Sequence, residues 1–169
     1  MSGWRQLRAI GPLPATVTVA IPAILVLIYG ADIGWGLPAP ASLAPPLVGA
    51  ALIVAGLGLA YRTISLFATV GQGTLAPWDP THRLVVLGPY RHVRNPMISG
   101  VGCVLLGEAA LLGSPPVLVE FVIFATANAV FIPRFEEPGL VRRFGDDYLE
   151  YRRAVPRWIP RRSPWTPGG

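Results

Sequence analysis

Hydrophobic residues are concentrated in four segments of the chain, separated by shorter polar stretches. The segments cover about 13–29, 47–66, 97–113 and 116–133. An α-helix rises about 1.5 Å per residue, so about 20 residues cross a hydrocarbon core of about 30 Å. The last two segments are near the lower limit of that length. The pattern predicts an all-α membrane protein with about four transmembrane helices.

The composition of the chain agrees with this pattern. Of its 169 residues, 52% are hydrophobic and 14% are charged, whereas soluble domains average about 25% charged residues. We therefore expect a single integral-membrane domain over 1–169. A signal peptide is the alternative interpretation of the first segment, but its apolar run is longer than such signals usually have. The net charge of +5 would suggest nucleic acid in a soluble protein, but here we predict no nucleic-acid partner.

The positive charges are distributed unevenly along the chain. Arg5 and Arg8 precede the first apolar segment, four arginines lie between 62 and 94, and eight more lie between 134 and 162. The connections 30–46 and 114–116 contain none. Because positively charged loops remain in the cytoplasm, we predict that both termini and the connection between segments two and three are cytoplasmic, in a membrane of the bacterial cytoplasmic type.

The region after the fourth segment has the pattern of an amphipathic helix. Leu140, Phe144, Tyr148 and Tyr151 recur at spacings of four, four and three. These spacings place them on one helix face, either of one helix or of two short helices broken at Gly145. This helical segment is expected to lie at the cytoplasmic end of the bundle. The proline-rich chain from 152 onward is expected to be irregular and to end as a disordered basic tail.

Polar side chains with binding potential are concentrated between 82 and 97. Arg91 and Arg94 lie three residues apart, next to Tyr90 and His92. Such a group can surround a carboxylate or phosphate of a ligand, or alternatively anchor the loop to anionic lipid headgroups. With two histidines and one cysteine in the chain, none of them adjacent, no metal site is predicted.

Two adjacent carboxylates follow the fourth segment. Glu136 and Glu137 could receive the hydroxyl, ammonium or sulfonium groups of a ligand. Neighbouring residues on a helix point about 100° apart. One of the two can therefore face a pocket while the other meets solvent or pairs with Arg143.

Several motifs in this half of the chain occur in a recognisable order. They are His82-Arg83-Leu84-Val85, Gly88-Pro89-Tyr90, Arg94-Asn95-Pro96, Glu136-Glu137, Phe144-Gly145, Tyr148, Tyr151 and Val155-Pro156-Arg157. In this combination, around a hairpin of two apolar segments, the sequence resembles the isoprenylcysteine carboxyl methyltransferase family. That family belongs with the phospholipid methyltransferases, which are small integral-membrane enzymes. The resemblance covers about 70–160.

The resemblance implies that the chain binds S-adenosylmethionine. The residues that it assigns to this cofactor are His82, Arg83, Leu84, Val85, Tyr90, Asn95, Pro96, Met97, Ile98 and Glu136. The sequence departs from the family pattern at three positions. Asn95 stands where histidine is frequent, Ile98 where tyrosine is frequent, and Ile132 where the eukaryotic carboxyl methyltransferases have an arginine that is associated with substrate.

The predicted reaction is methyl transfer from S-adenosylmethionine to a lipophilic acceptor that enters from the bilayer. A carboxylate acceptor would require an arginine, either Arg134 or Arg94. An amine acceptor would require a base, either Glu136 or Glu137, and a hydroxyl is the third possible acceptor. Two alternatives are a non-catalytic membrane module that retains the fold and, with less support, a nicotinamide-dependent enzyme of the sterol-reductase type.

Overall fold

The computed structural model describes residues 12–69 and 84–166 of the chain. Within these ranges every regular element is helical and there is no β-strand, which confirms the all-α prediction. The α-helices are α1 (Pro12–Ala15), α2 (Ile21–Tyr29), α3 (Ala44–Thr69), α4 (Pro96–Leu112), α5 (Pro115–Phe131) and α6 (Glu137–Ala154). Two π-helical turns connect α1 to α2 and α5 to α6; they cover Thr16–Ala20 and Ile132–Glu136.

The lengths and apolar composition of the helices support the prediction of a membrane protein. Within the described residues, two continuous helical stretches are long and apolar enough to cross a membrane, Ala41–Leu66 and Pro115–Ala154. Two shorter apolar helices, Thr16–Tyr29 and Pro96–Leu112, accompany them. The helix boundaries agree with those predicted to within about three residues, but the count of four transmembrane spans stays a prediction.

The helix α3 extends beyond the predicted end of the second apolar segment. It continues past Arg62 to Thr69, and the Arg62 side chain is exposed on its surface. The charge therefore does not end the helix. An exposed arginine on a long apolar helix can extend its guanidinium toward the interface while its methylenes remain on apolar surface.

The chain divides into two compact units, which we describe separately. The second unit contains the described parts of 11–58 and 100–127, and its helices α3 and α4 are in very close contact. A Cβ atom on Gly49 would lie 2.5 Å from the Gly107 carbonyl oxygen, and one on Gly56 would lie 2.5 Å from the Gly100 carbonyl oxygen. Only glycine fits at such a contact, as expected for small residues at membrane helix interfaces.

The helices α4 and α5 form the predicted hairpin. Only Gly113 and Ser114 separate them, and Gly113 has a positive φ of 60°, which glycine adopts without steric cost. A Cβ atom on Gly102 would lie 3.6 Å from the Phe121 ring, which is ordinary van der Waals contact. The two helices are therefore neighbours.

The first unit contains the described parts of 59–99 and 128–169. Its core is formed by Tyr148, Tyr151 and Val155, each at most 3% exposed. Seven partly buried hydrophobic residues pack against this core: Leu84, Val86, Leu140, Val141, Phe144, Ala154 and Trp165. Both the amphipathic face of α6 and the loop before α4 thus contribute to one core.

The amphipathic segment after the fourth apolar segment is broken in the middle. Gly145 has φ 55° and ψ −130°, which is outside the helical region and accessible to glycine. Of the two alternatives for this segment, two short helices broken at Gly145 is therefore the one observed. The break changes the direction of the chain between Phe144 and Tyr148, whose side chains both belong to the core.

The predicted disordered end falls partly on 167–169, which lie outside the described residues. The segment 155–166 is irregular, as predicted, but the irregular part begins later than 152 and is paired with another segment. The helix α6 continues to Ala154, and the segment 155–166 forms hydrogen bonds to 91–94. Proline prevents this segment from forming a helix, but three backbone hydrogen bonds join it to the loop before α4.

Candidate functional site

The loop before α4 contains a tight turn that buries Tyr90. Residues Gly88–Arg91 form a single 3-10 turn that begins at Gly88 with a φ of 54°. Tyr90 is 8% exposed, and its backbone carbonyl accepts a hydrogen bond of 2.7 Å from the Tyr151 hydroxyl. This bond ties the loop directly to α6.

The buried tyrosines remain neutral. Burial raises the pKa of Tyr90, and the neighbouring Tyr151 and Glu136 raise it further. Burial likewise raises the pKa of Tyr151. Their hydroxyl groups therefore act as hydrogen-bonding groups and not as acids or bases at physiological pH.

The central polar feature of the first unit is a buried ion pair between Arg94 and Glu137. The Arg94 Nη1 atom lies 2.7 Å from Glu137 Oε1, and the two side chains are only 9% and 4% exposed. Arg157 donates to both oxygens of the same carboxylate, from Nε at 2.8 Å and from Nη2 at 3.1 Å. Arg152 lies farther away, at 3.8 Å. Charge-assisted bonds of this kind are about twice as strong as neutral ones.

The two adjacent carboxylates lie in different environments. Glu137 is 3% exposed as a whole residue, whereas Glu136 is exposed. The π-helical turn Ile132–Glu136 ends at the first of them and changes the register of the side chains. Glu137 points into the first unit and forms the ion pair.

The Glu136 carboxyl group is influenced by its surroundings although the residue as a whole is exposed. Surrounding protein atoms desolvate it and raise its pKa, and the charge of Glu137 raises the pKa further. After burial and Tyr151, the Glu136 charge also raises the pKa of Tyr90. That Glu136 and Tyr90 share one pocket stays a prediction.

Two buried donors on adjacent residues have no partner within the described part of the chain. They are the Nε atom of Arg94 and the Nδ2 atom of Asn95. The backbone carbonyl of Asn95 is occupied, because it accepts bonds from the Ser99 amide and hydroxyl, both at 3.0 Å. A buried donor without a partner costs about 1–3 kcal/mol. A ligand that accepts both bonds would remove this cost.

The sequence was compared with known families and proteins. Residues 45–147, more than half of the chain, match the model of the family described as phospholipid methyltransferase. The chain belongs to the phospholipid methyltransferase family. This result confirms the resemblance deduced from the ordered motifs.

Individual relatives are similar to shorter stretches of the chain. Methanethiol S-methyltransferase 2 of Bradyrhizobium diazoefficiens is 37% identical over 75 residues, which cover 43% of this chain and 27% of the relative. Protein-S-isoprenylcysteine O-methyltransferase of Schizosaccharomyces pombe is 38% identical over 82 residues, which cover 47% of this chain and 34% of the relative. The Homo sapiens protein of the same name is 34% identical over 82 residues, which cover 47% of this chain and 28% of the relative. The chain thus matches about a third or less of the length of these relatives. No solved structure is significantly similar to the chain.

The family residues at the start of the loop have mainly apolar environments. Val85 is 6% exposed, and Leu84 packs against the Tyr148 and Tyr151 core. His82 and Arg83 lie outside the described residues. Leu84 and Val85 can therefore contribute an apolar wall and backbone groups to a phospholipid methyltransferase site, but no polar side chain.

The first turn of α4 contains the next group of predicted cofactor residues. Pro96 is fully buried, and Met97 and Ile98 are half-buried. A proline in the first position of a helix is favourable, because the backbone N–H that it lacks would have no helical partner there. Proline therefore favours the start of the helix at this position, directly after Asn95, whose side-chain Nδ2 has no partner among the described residues.

The arginines of the site have contacts that the sequence did not indicate. Arg91 donates from Nε to the Trp165 carbonyl at 2.6 Å, so part of its guanidinium is held by the C-terminal segment, and its contact with a ligand or with lipid headgroups stays a prediction. Arg143 lies over the Phe144 ring, with its central carbon 5.5 Å from the ring centroid. It therefore does not pair with Glu137. Arg134 is exposed and forms no ion pair or hydrogen bond within 12–69 and 84–166.

The sequence interpretation missed Arg157. The motif Val155-Pro156-Arg157 contributed to the family resemblance, but no role was assigned to it. Its spacing of twenty residues from Glu137 gives no periodic signal, because Gly145 interrupts the helix between them. Only the fold brings the Arg157 guanidinium to the carboxylate.

Proposed function

We propose that the chain is an S-adenosylmethionine-dependent methyltransferase that acts on a lipophilic acceptor. The observation that carries this proposal is the pair of adjacent buried donors, on Arg94 and Asn95, that have no partner among the described residues. They lie in the loop that also contains Tyr90, and the charge of Glu136 acts on the Tyr90 hydroxyl. Family membership supplies the reaction class.

The residues present fit a cofactor with an anionic end and a cationic centre. Three arginines surround the single carboxylate of Glu137, namely Arg94, Arg152 and Arg157, so the cluster retains excess positive charge. This charge and the two unpartnered donors favour a carboxylate of the ligand. Glu136 is suited to accept bonds from hydroxyl groups or to face the sulfonium. The other residues proposed to line the cofactor are His82, Arg83, Leu84, Val85, Tyr90, Pro96, Met97 and Ile98.

S-adenosylmethionine supplies an activated methyl group on a sulfonium, so the protein is not required to activate the donor. The residues of the chain must hold the cofactor and the acceptor in line and exclude water. The apolar side chains of Leu84 and Val85 are suited to exclusion of water. The bonds from Arg94 to Glu137 and from Tyr151 to the Tyr90 carbonyl make the loop rigid.

The contacts of Arg94 and Glu137 affect which residues we propose to bind or deprotonate the methyl acceptor. Because Arg94 is paired with Glu137, Arg134 is the better partner for a carboxylate acceptor. For an amine acceptor, Glu136 is the better base, since Glu137 is occupied by arginines and the raised pKa of Glu136 improves its basicity. Ile132 is 2% exposed and cannot take the place of the arginine that related carboxyl methyltransferases have there.

The membrane supplies the acceptor in this proposal. The relatives are named for methanethiol and isoprenylcysteine, and the family for phospholipid. These names share no single acceptor, and we propose for this chain an acceptor that reaches the site from the apolar phase of the membrane. We propose four spans with both termini and the site on the cytoplasmic side, because arginines flank that side alone.

Calorimetric titration of the detergent-purified full chain with S-adenosylmethionine tests cofactor binding. We expect saturable binding by the wild type and weaker binding by Asn95→Ala and Glu136→Gln. Glu150→Gln is the matched control, because Glu150 is an exposed carboxylate on the same helix. No heat at millimolar cofactor, or equal affinity in all variants, would contradict the proposal.

The same preparation distinguishes the other two candidate functions. A non-catalytic module would bind S-adenosylmethionine but transfer no methyl group to any membrane component. An enzyme of the sterol-reductase type would bind a nicotinamide cofactor in its place. The departures at Asn95 and Ile98 are the reason to test the first of these directly.

A further inference from the structure

The segment 155–166, which we call the C-terminal strap, lies along the loop before α4. Three backbone hydrogen bonds join them in antiparallel order. The Arg94 amide donates to the Pro156 carbonyl at 2.9 Å, the Arg161 amide to the His92 carbonyl at 3.0 Å, and the Trp165 amide to the Arg91 carbonyl at 2.9 Å. The strap therefore contacts the loop over almost its whole length.

Side chains reinforce this backbone pairing. Arg91 donates from Nη2 to the Thr166 hydroxyl at 2.9 Å, in addition to its bond to the Trp165 carbonyl. The His92 Nδ1 atom lies 2.9 Å from the Arg161 carbonyl oxygen. The side chains of Arg91 and His92, which resemble part of a ligand site in the sequence, are thus directed to the strap.

The strap also reaches the buried ion pair. Arg157 forms two bonds to Glu137, and Glu137 holds Arg94. The Arg157 side chain is 29% exposed, so the strap closes the outer side of this cluster. Arg157 is thereby linked through Glu137 to Arg94, which precedes Asn95 in the chain.

Burial of apolar surface does not explain the strap. Ile159 is 80% exposed, and Pro156, Pro160 and Pro164 are all exposed. Only Val155 and Trp165 contribute to the core. Prolines restrict the unfolded chain and reduce the entropy lost when it is held in one conformation. The strap thus has the properties of a stiff clamp on the loop.

We propose that the C-terminal strap positions residues 91–95 for the cofactor and that Arg157 is the main positioning residue. The inference rests on the proposed function and deepens it. Arg157 does not need to touch the cofactor. Its two bonds fix the Glu137 carboxylate, which fixes the guanidinium of Arg94 and, through the backbone, the amide of Asn95.

The test compares Arg157→Ala with Arg157→Lys and with the control Arg162→Ala. Arg162 is an exposed arginine of the same strap without an ion pair in the described chain. We expect the Kd for S-adenosylmethionine to rise about tenfold in Arg157→Ala, equivalent to about 1.4 kcal/mol. Lysine should restore part of the affinity through a single bond, and Arg162→Ala should bind as the wild type.

A second readout separates positioning from general stability. In the absence of cofactor, hydrogen exchange of the Arg94 and Arg161 amides should become faster in Arg157→Ala, while exchange in α5 stays unchanged. The KM of the methyl acceptor should also stay unchanged. If Arg157→Ala does not fold, Trp165→Ala tests the other end of the strap and should weaken cofactor binding in the same way.

The outcomes distinguish this inference from the proposed function. Absence of S-adenosylmethionine binding by the wild type would overturn both. Binding by the wild type with unchanged affinity in Arg157→Ala, or equal loss in Arg162→Ala, would overturn the role of the strap alone. A fall in affinity that follows only a global loss of structure, with faster exchange in α5, would also overturn it.

Discussion

Replacement of Glu137 by glutamine removes one charge at the centre of the ion cluster and preserves the shape of the side chain. Arg94, which is 9% exposed, then retains only a long bond of 3.4 Å from Nη1 to the Tyr148 hydroxyl and a weaker contact to the new amide. Arg157 and Arg152 would repel it, since no anion remains between them. The variant therefore leaves a buried positive charge without a counterion.

The loss of stability in Glu137→Gln can be estimated from the burial of Arg94. Removal of one partner of a buried ion pair costs about 3–5 kcal/mol. We expect the lower end, about 3 kcal/mol, because glutamine still accepts one hydrogen bond. For a chain of this size, each kcal/mol lowers the Tm by about 2–4 °C. Glu137→Gln should thus lower the Tm of the detergent-purified protein by about 6–12 °C.

Thermal unfolding monitored by tryptophan fluorescence measures this effect, with Glu150→Gln as the exposed control. The double variant Arg94→Met with Glu137→Gln should be more stable than Glu137→Gln alone, since it no longer buries an unpaired charge. A Tm within about 2 °C of the wild type for Glu137→Gln, or a double variant less stable than both single variants, would refute the assignment of the buried ion pair.

Three further predictions concern other contacts. Tyr151→Phe leaves a buried loop carbonyl without its donor and should cost about 1–3 kcal/mol, measured as a lower Tm with little change in the far-UV spectrum. Gly56→Leu should prevent close approach of two helices and strongly reduce the yield of folded protein in gel filtration, whereas Gly58→Leu, where a Cβ atom meets nothing within 4 Å, should be tolerated. Because the pKa of Glu136 is raised above its ordinary value of 4.5, the folded protein binds this proton more tightly than the unfolded chain does. The free energy of unfolding therefore falls as pH rises through the raised pKa. Glu136→Gln should stabilise the free protein at pH 8 but not at pH 4, measured as the difference in Tm between variant and wild type, and no change in that difference with pH would contradict the shift.

The helical architecture could be predicted because the apolar segments are long and sharply bounded. The positions of α3, α4 and α5 follow from hydrophobic length and from the prolines at their starts, which are local properties. The break at Gly145 was also one of two expected alternatives. Such features depend on a few neighbouring residues and need no knowledge of tertiary contacts.

The tail and the roles of the arginines could not be predicted in this way. The tail was expected to be irregular and to end in disorder because its composition is polar and proline-rich, yet 155–166 is held by partners that lie more than sixty residues earlier, in 91–94. Arg91 looked like a ligand or lipid contact, since a sequence does not show that the Trp165 carbonyl will lie beside it. Contacts between distant segments decided both cases.

The two carboxylates show the same limit on a smaller scale. A regular helix predicts that Glu136 and Glu137 diverge, but not which of them points inward. Glu136 ends a π-helical turn and Glu137 begins the following α-helix, so the register of a regular helix does not apply across the pair. Sequence reasoning therefore drew attention to this pair of residues without separating their environments, and the ligand role of Glu136 stays a prediction.

The central claim is that this chain transfers a methyl group from S-adenosylmethionine to a lipophilic acceptor. The most direct measurement incubates membranes that contain the full chain with methyl-labelled cofactor and quantifies label in the organic extract. We predict labelling by the wild type and by Glu150→Gln, and a loss of most label in Asn95→Ala and Glu136→Gln. Equal labelling by all four proteins and by membranes without the chain would contradict the claim.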